Sequence, residues 1–459
     1  GMGGVIVVWE DYRNDPSNTV ADIYAQRFDL STGRPDPGWP VNGVAVCQTG
    51  AHAERPRIAG TVDGAYITWI DYRNDNGTPP RNRDVFLQYL KSATASWPPP
   101  PSNWVANGIS ASVLRDPDQI NPELDVDHTL TLDLLGLYTE GVVVTWQDNR
   151  RRDGRGQQYW NVYANHISAD GQQMFIPVDV SVTNPTNAHQ EYPRIVTTGR
   201  NAAVPDRRAV IVWQDHRPDP IGGVTDVYAQ ALLPGGMAMF GPMGGAVCIA
   251  PGSQRYPQPV LWEHVDQQTQ AFTPYVTVGW EDYRDAATTG TDIYGGLLDA
   301  TGPAFMVNPQ GALGDAICQL PGTQGELAMD NVYHNSLVNE NTVFAWRHEV
   351  PAGDDIWYQE INLPGWAITR PANGWPVTEA RSVQSVPDVS RRMFIWQDGR
   401  RDPIPNDNQD DENIYCQTPG ECTGPTAMSW RDEFAMWTFG ESARDHRYVS
   451  DPSDGSTYH

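Results

Sequence analysis

Short apolar runs rich in β-branched residues recur along the chain, as in Val5-Ile-Val-Val8, Val142-Val-Val-Thr145 and Ala209-Val-Ile-Val212. Runs of this kind predict strands buried on both faces. Each leads into the same five-residue signature, Trp-x-Asp-x-Arg. Its six full copies are Trp9, Asp11, Arg13; Trp69, Asp71, Arg73; Trp146, Asp148, Arg150; Trp213, Asp215, Arg217; Trp280, Asp282, Arg284; and Trp396, Asp398, Arg400. A seventh, Trp346-Arg-His-Glu-Val350, keeps the tryptophan and loses both charges.

A second block follows each signature after a loop of variable length. It reads Asp22-Ile-Tyr-Ala-Gln26 and returns at Asp84, Asn161, Asp226, Asp292, Asp355 and Asn413. A third block is a strand of small residues, as in Asn42-Gly-Val-Ala-Val-Cys47. A fourth sets proline before a short strand, at Pro56-Arg-Ile58, Pro122-Glu-Leu124 and Pro193-Arg-Ile195. Four strands per unit and seven units predict an all-β fold, a seven-bladed β-propeller of four-stranded antiparallel blades.

Positions i, i+2 and i+4 of a strand share one face. The signature therefore projects Trp, Asp and Arg together, with the charges toward the strand end. The second block's acid starts the neighbouring strand, so the spacing predicts an Asp–Arg–Asp clasp at each hairpin base, with Asp22, Asp84, Asp226 and Asp292 as the outer partners. Planar guanidinium suits such paired bonds. The same residues could be read as six carboxylate–Arg ligand sites. A constellation repeated in every unit argues for a structural role, since catalytic sets are single.

The units resemble bacterial extracellular repeats that carry the Asp-Ile-Tyr-Ala-Gln and Trp-x-Asp-x-Arg blocks. These occur in secreted or surface-attached proteins, often with C-terminal sorting or anchoring modules. The resemblance covers residues 1 to about 417. It implies the propeller fold and an extracellular or cell-surface location, and it brings no agreed activity. The first unit begins within a blade. Residues 418–459 are therefore expected to close the ring, lead to an anchor, or both. Their apolar stretches, Ala427-Met-Ser-Trp430 and Phe434-Ala-Met-Trp-Thr-Phe439, are the expected partners of the first blade.

Composition narrows the function. Acidic residues number 57 against 31 basic ones, a net charge of −26, which argues against a nucleic-acid partner. No apolar run is long enough for a membrane-spanning helix. Cys47, Cys248 and Cys318 fall at equivalent strand positions and read as small buried hydrophobes. Cys416 and Cys422 flank Pro419-Gly420 and are the candidate for a local disulfide in an oxidising location, with two free thiols as the alternative. The acidic loop with Asp407, Asp410, Asp411 and Glu412 is a candidate Ca²⁺ site, although no calcium-loop motif is present and a solvated charge run would look the same. Trp39, Trp104 and Trp375 are read as a recurrent turn before the third block.

No phosphate loop, zinc motif, nucleophile elbow or dinucleotide fingerprint occurs. The expected function is a non-enzymatic extracellular module that binds protein or glycan through its loops, or builds a surface assembly by self-association. The alternative is a propeller glycoside hydrolase or polysaccharide lyase, which needs only two suitably spaced carboxylates. A non-repeated cluster of acidic and aromatic residues would distinguish them. The irregular sixth unit, with Glu326, His334, His348 and Glu349, is where the sequence hints at one.

Overall fold

The computed structural model describes residues 4–29, 34–75, 77, 82–114, 118–132, 138–183, 187–199, 207–219, 223–265, 268, 272–300, 313–332, 340–350, 353–363, 365–368, 373–377, 384–390, 393–398, 413–417, 434–437 and 447–450. Every regular element among them is a strand. The chain is all-β, built from antiparallel sheets of the four-stranded propeller type, and the described residues form seven of them. Within every sheet but the first the strands lie in chain order. The second sheet runs Ala53–Gly60, Gly64–Asp71, Asp84–Lys91, Ile109–Ser110. No helix among the described residues is long and apolar enough to cross a membrane.

The chain divides into two compact units, one of Gly1–Ala246 with Asp445–Tyr458 and one of Val247–Arg444. The first unit holds sheets one to four, and the outer strand of the fourth, Gly245–Cys248, carries the chain across the boundary. Its cores lie between successive sheets. Ile6, Val8 and Ile23 of the first sheet pack on Ile67 and Trp69 of the second. Tyr66 and Leu87 pack on Val142 and Trp146, and Val143 and Val162 pack on Ile211 and Trp213. The second unit repeats this, with Ile293 and Leu297 against Phe344 and Trp346, and Val343 and Tyr358 against Phe394 and Trp396. Six signature indoles are fully buried. Each removes on the order of 200 Å² from water, roughly 5 kcal/mol before ordering costs.

The first strand of most sheets is kinked where proline removes a ladder donor. Pairing shifts register between Glu54 and Arg57, Glu191 and Arg194, and Arg255 and Gln258. The residue before the proline then takes a positive φ, 54° at Arg55, 50° at Asn121, 52° at Tyr192 and 51° at Tyr256. That turn leaves its N–H outside the ladder. Glu10 of the first sheet accepts the Arg55 N–H at 2.7 Å, and Gln147 of the third accepts the Tyr192 N–H at 2.9 Å. The second residue of the signature thus ties one sheet to the next.

The tail departs from expectation. The first sheet is completed by Arg447–Ser450, antiparallel to Gly4–Asp11 with Val5 opposite Ser450. Phe434–Trp437 pairs instead with Asn413–Gln417, as the outer strand of the seventh sheet. Residues 427–430 lie outside the described residues. Pairing uses main-chain groups, so a sheet edge takes Arg-Tyr-Val-Ser as readily as an apolar run.

Candidate functional site

Strand alternation sets Trp, Asp and Arg of the signature on one face, and the aspartate becomes the hub. Its Oδ2 accepts the indole N–H at 2.8 Å in the first and second sheets and 2.9 Å in the fourth and fifth. Its Oδ1 accepts the arginine's own main-chain N–H at 2.8–2.9 Å in all five. The guanidinium closes the ring. Arg73 donates from Nε and Nη2 to the two oxygens of Asp71, and Arg284 does the same to Asp282. Asp71, Asp148, Asp215 and Asp282 are fully buried. At Asp11 burial alone would raise the carboxyl, but the bonds from Arg13 and Trp9 outweigh it and hold the group below its usual range.

The outer partner of the arginine is not the second-block acid. Its flat face lies 3.8–4.1 Å over the block's aromatic ring, at Tyr24, Phe86, Tyr163, Tyr228 and Tyr294. It also donates to a carbonyl before the outer strand, from Nη1 to Asn42 and Met243 in the first and fourth sheets, and in the second and fifth to Asn107 and Leu313 from the same Nη2 that bonds the aspartate. Asp22 and Asp84 accept from Asn14 and Asn74 instead, and Asp292 from Thr289. The reason is the register, which sets the two acids directly opposite each other, Asp215 across from Asp226 and Asp282 across from Asp292. One guanidinium saturated by the first carboxylate leaves the second under-compensated. Burial and the facing Asp215 push Asp226 up to about 6, and burial with Asp285 and the facing Asp282 does the same to Asp292.

Each outer strand is entered through a positive-φ glycine pressed against the indole. A Cβ at Gly43, Gly108, Gly244, Gly314 or Gly374 would come within 2.3–2.8 Å of the signature tryptophan ring. The third sheet has Asp179 in that place, at φ 56°. Its carboxylate replaces the carbonyl, pairing with Arg150 at 3.2 Å, and Trp146 sits farther from Asp148, at 3.3 Å.

The buried thiols belong to this machinery as well. Arg73 of the second sheet donates to Cys47 of the first at 3.4 Å, and Arg284 of the fifth donates to Cys248 at 3.5 Å. Cys47, Cys248 and Cys318 are free and buried, and burial raises the Cys318 thiol to about 12. Trp375 stands apart from Trp39 and Trp104. It follows the Asn373-Gly374 turn on the strand Trp375–Pro376, where Val44 stands in the first sheet, and is 37% exposed.

The sixth sheet has no clasp. Its signature strand runs directly into the next through a tight hairpin, with Val350 opposite Gly353. Trp346 keeps its buried place, but its indole N–H has no acceptor, since His348 faces Gln324 at 3.0 Å. Arg347 moves to Asp354 at 2.6 Å and Glu326 at 2.9 Å. Beside it, burial and the nearby Glu326 push Glu281 up to about 7 despite the bond it accepts from the Glu326 N–H at 2.9 Å. Gln147 makes the same bond between sheets three and four with a neutral amide, so the position needs an acceptor and no charge.

One charged set is not repeated. On the first strands of sheets two, three and four, Arg57 and Arg194 both donate to Oε1 of Glu123, Arg57 from Nε at 2.9 Å. Burial, with Arg57 as a like-charged neighbour, draws the Arg194 guanidinium below its usual range against the pull of Glu123. The fourth block sets these residues at one repeated position, but nothing in the spacing joins partners 66 and 71 residues apart. Of the other candidates, Arg400, Asp407, Asp410, Asp411, Glu412 and Cys422 lie outside the described residues, as do the side chains of Asp398 and Cys416. Among the described residues no group of three His, Cys, Asp or Glu is placed to hold a metal ion.

A scan of family models finds no match, and a search of curated proteins finds none either. Among solved structures, the chain is similar to an α-L-arabinofuranosidase from Lactobacillus brevis at 11% identity, over 72% of this chain and 92% of that one, with a TM-score of 0.32. The α-L-arabinofuranosidase Arb93A from Fusarium graminearum, solved with an iminosugar inhibitor, gives 9% identity, 75% and 88% coverage and 0.39. The NanB sialidase from Streptococcus pneumoniae gives 9%, 87%, 63% and 0.35. Likeness at this level assigns no chemistry to any residue of this chain.

Proposed function

We propose that the chain is a non-enzymatic binding module that works outside the cell and presents its loops and inner strands to a glycan or protein partner. The observation that supports this reading is the self-sufficiency of the repeated charges. In all five described clasps the aspartate is occupied by an indole and its arginine, and the arginine by that aspartate, a ring and a further oxygen acceptor of the same sheet. Such groups carry no proton to a substrate. The extracellular setting rests on the repeat resemblance, and the Ca²⁺ site at Asp407, Asp410, Asp411 and Glu412 belongs to the same proposal. A glycan array probed with the full chain, followed by a reducing-end assay on every glycan bound, tests it. Retention without new reducing ends is expected. Release of sugar would make the chain a glycoside hydrolase and overturn the proposal, and lyase action would show as unsaturated product absorbing in the ultraviolet.

A further inference from the structure

Three first strands lie side by side in the first unit, and the residue after the proline kink points the same way on each. These residues are Arg57, Glu123 and Arg194. Two guanidiniums meet one carboxylate oxygen, which leaves the row with a net positive charge inside a chain of net charge −26. The next acid along the middle strand, Asp125, is turned to the fourth sheet, where it accepts the Thr197 N–H at 2.7 Å and its hydroxyl at 3.0 Å. Arg57 spends Nε on Glu123 and Nη1 on the Pro56 carbonyl. Arg194 spends only Nη1. Among the described residues its Nε and Nη2 meet no protein acceptor, and the side chain is 21% exposed. That edge of a guanidinium is the one that takes a carboxylate side-on through two parallel bonds. The enclosure that lowers the Arg194 pKa is relieved by a second anion.

We infer that Arg194, with Arg57 beside it, is an anion site on the inner strands of the first unit that takes the carboxylate of an acidic sugar or other small acid. The inference deepens the binding reading above and rests on it. Calorimetric titration of the full chain at low salt, with glucuronate, acetate and glucose, tests it. Glucuronate and acetate should bind and glucose should not, with acetate showing that the carboxylate alone suffices. Arg194→Met should weaken glucuronate at least tenfold, and Arg194→Lys should recover only part of the loss, because it returns the charge without the fork. A second readout uses the unaltered chain, so a variant that fails to fold leaves the question decidable. Glucuronate should protect Arg194 from phenylglyoxal, as measured by peptide mass spectrometry. Equal heats for glucuronate and glucose, wild-type affinity in Arg194→Met, or no protection overturns the site. Should the chain hold neutral glycans on the array while ignoring glucuronate, the site is wrong and the binding module stands. Should it hold nothing, both fall.

Discussion

The fifth and sixth sheets of the second unit carry the same tryptophan in the same place and differ in what holds it. In the fifth, Trp280 is bonded to Asp282, which is locked by Arg284 under a loop running to Asp292. In the sixth, Trp346 has no acceptor and the loop is gone, replaced by a ladder that continues to Val350 and Gly353. The clasp therefore does not serve the strand pairing, which the hairpin achieves alone. It sits where the regular ladder breaks at the signature aspartate, and the third sheet shows this too, because its pairing resumes only after a register shift between Asp148 and Arg151. In the sixth sheet the ladder runs through that point without a break, and main-chain bonds stand where the charges were.

The contrast gives four tests, measured by urea or thermal unfolding. The largest effect is expected for Asp282→Ala, which strands a half-buried guanidinium and a buried indole N–H and should cost about 3–5 kcal/mol. His348→Ala at the same position of the sixth sheet should cost about 1 kcal/mol, and equal losses would break the comparison. Gly314→Ala comes next at about 2–4 kcal/mol, since its Cβ would sit 2.3 Å from the Trp280 ring at a φ of +69°. Gly374→Ala should cost about as much despite the missing clasp, showing that the indole's seat is a separate device.

Glu281→Gln tests the tie between the two sheets. A carboxyl held near 7 in the folded chain, against an ordinary value of 4.5, keeps its proton while the unfolded chain loses one. Its stabilising contribution is full below about 4.5 and lost as pH rises to 7 and beyond. The amide should leave stability at pH 4 unchanged and raise it at pH 8 by about 1–3 kcal/mol. The smallest effect is a difference. Trp280→Phe should cost about 1–2 kcal/mol more than Trp346→Phe, because only the first loses a bond to a charged acceptor.

Repetition made the clasp legible in the sequence. Trp9, Asp11 and Arg13 recur at fixed spacing, and alternation along a strand sets them together. The ring under the arginine was in view too, as the aromatic third residue of the second block, but the facing acid drew the assignment instead. Register explains the error, since opposed acids compete for one cation. The kink at Arg55 and its counterparts was harder to see, because the neighbouring sheet supplies its acceptor, and Glu326 takes the same turn at φ 55° with Leu327 in place of proline. Arg57, Glu123 and Arg194 hold one position of the fourth block, yet their meeting was missed for a different reason. Each is an ordinary charge on its own strand, and only the packing of three sheets brings them to one point. The partner of the first sheet was missed because Arg447–Ser450 has no apolar signature.

That last strand has a consequence for how the molecule is made. Val5 pairs with Ser450, so during synthesis Gly4–Asp11 leaves the ribosome with one edge bare until Arg447–Ser450 has also been translated. Contacts this distant in sequence form slowly. The nascent first sheet is thus the segment most in need of shelter, and its completion is the step at which the early-made sheets stop offering an open edge to other chains.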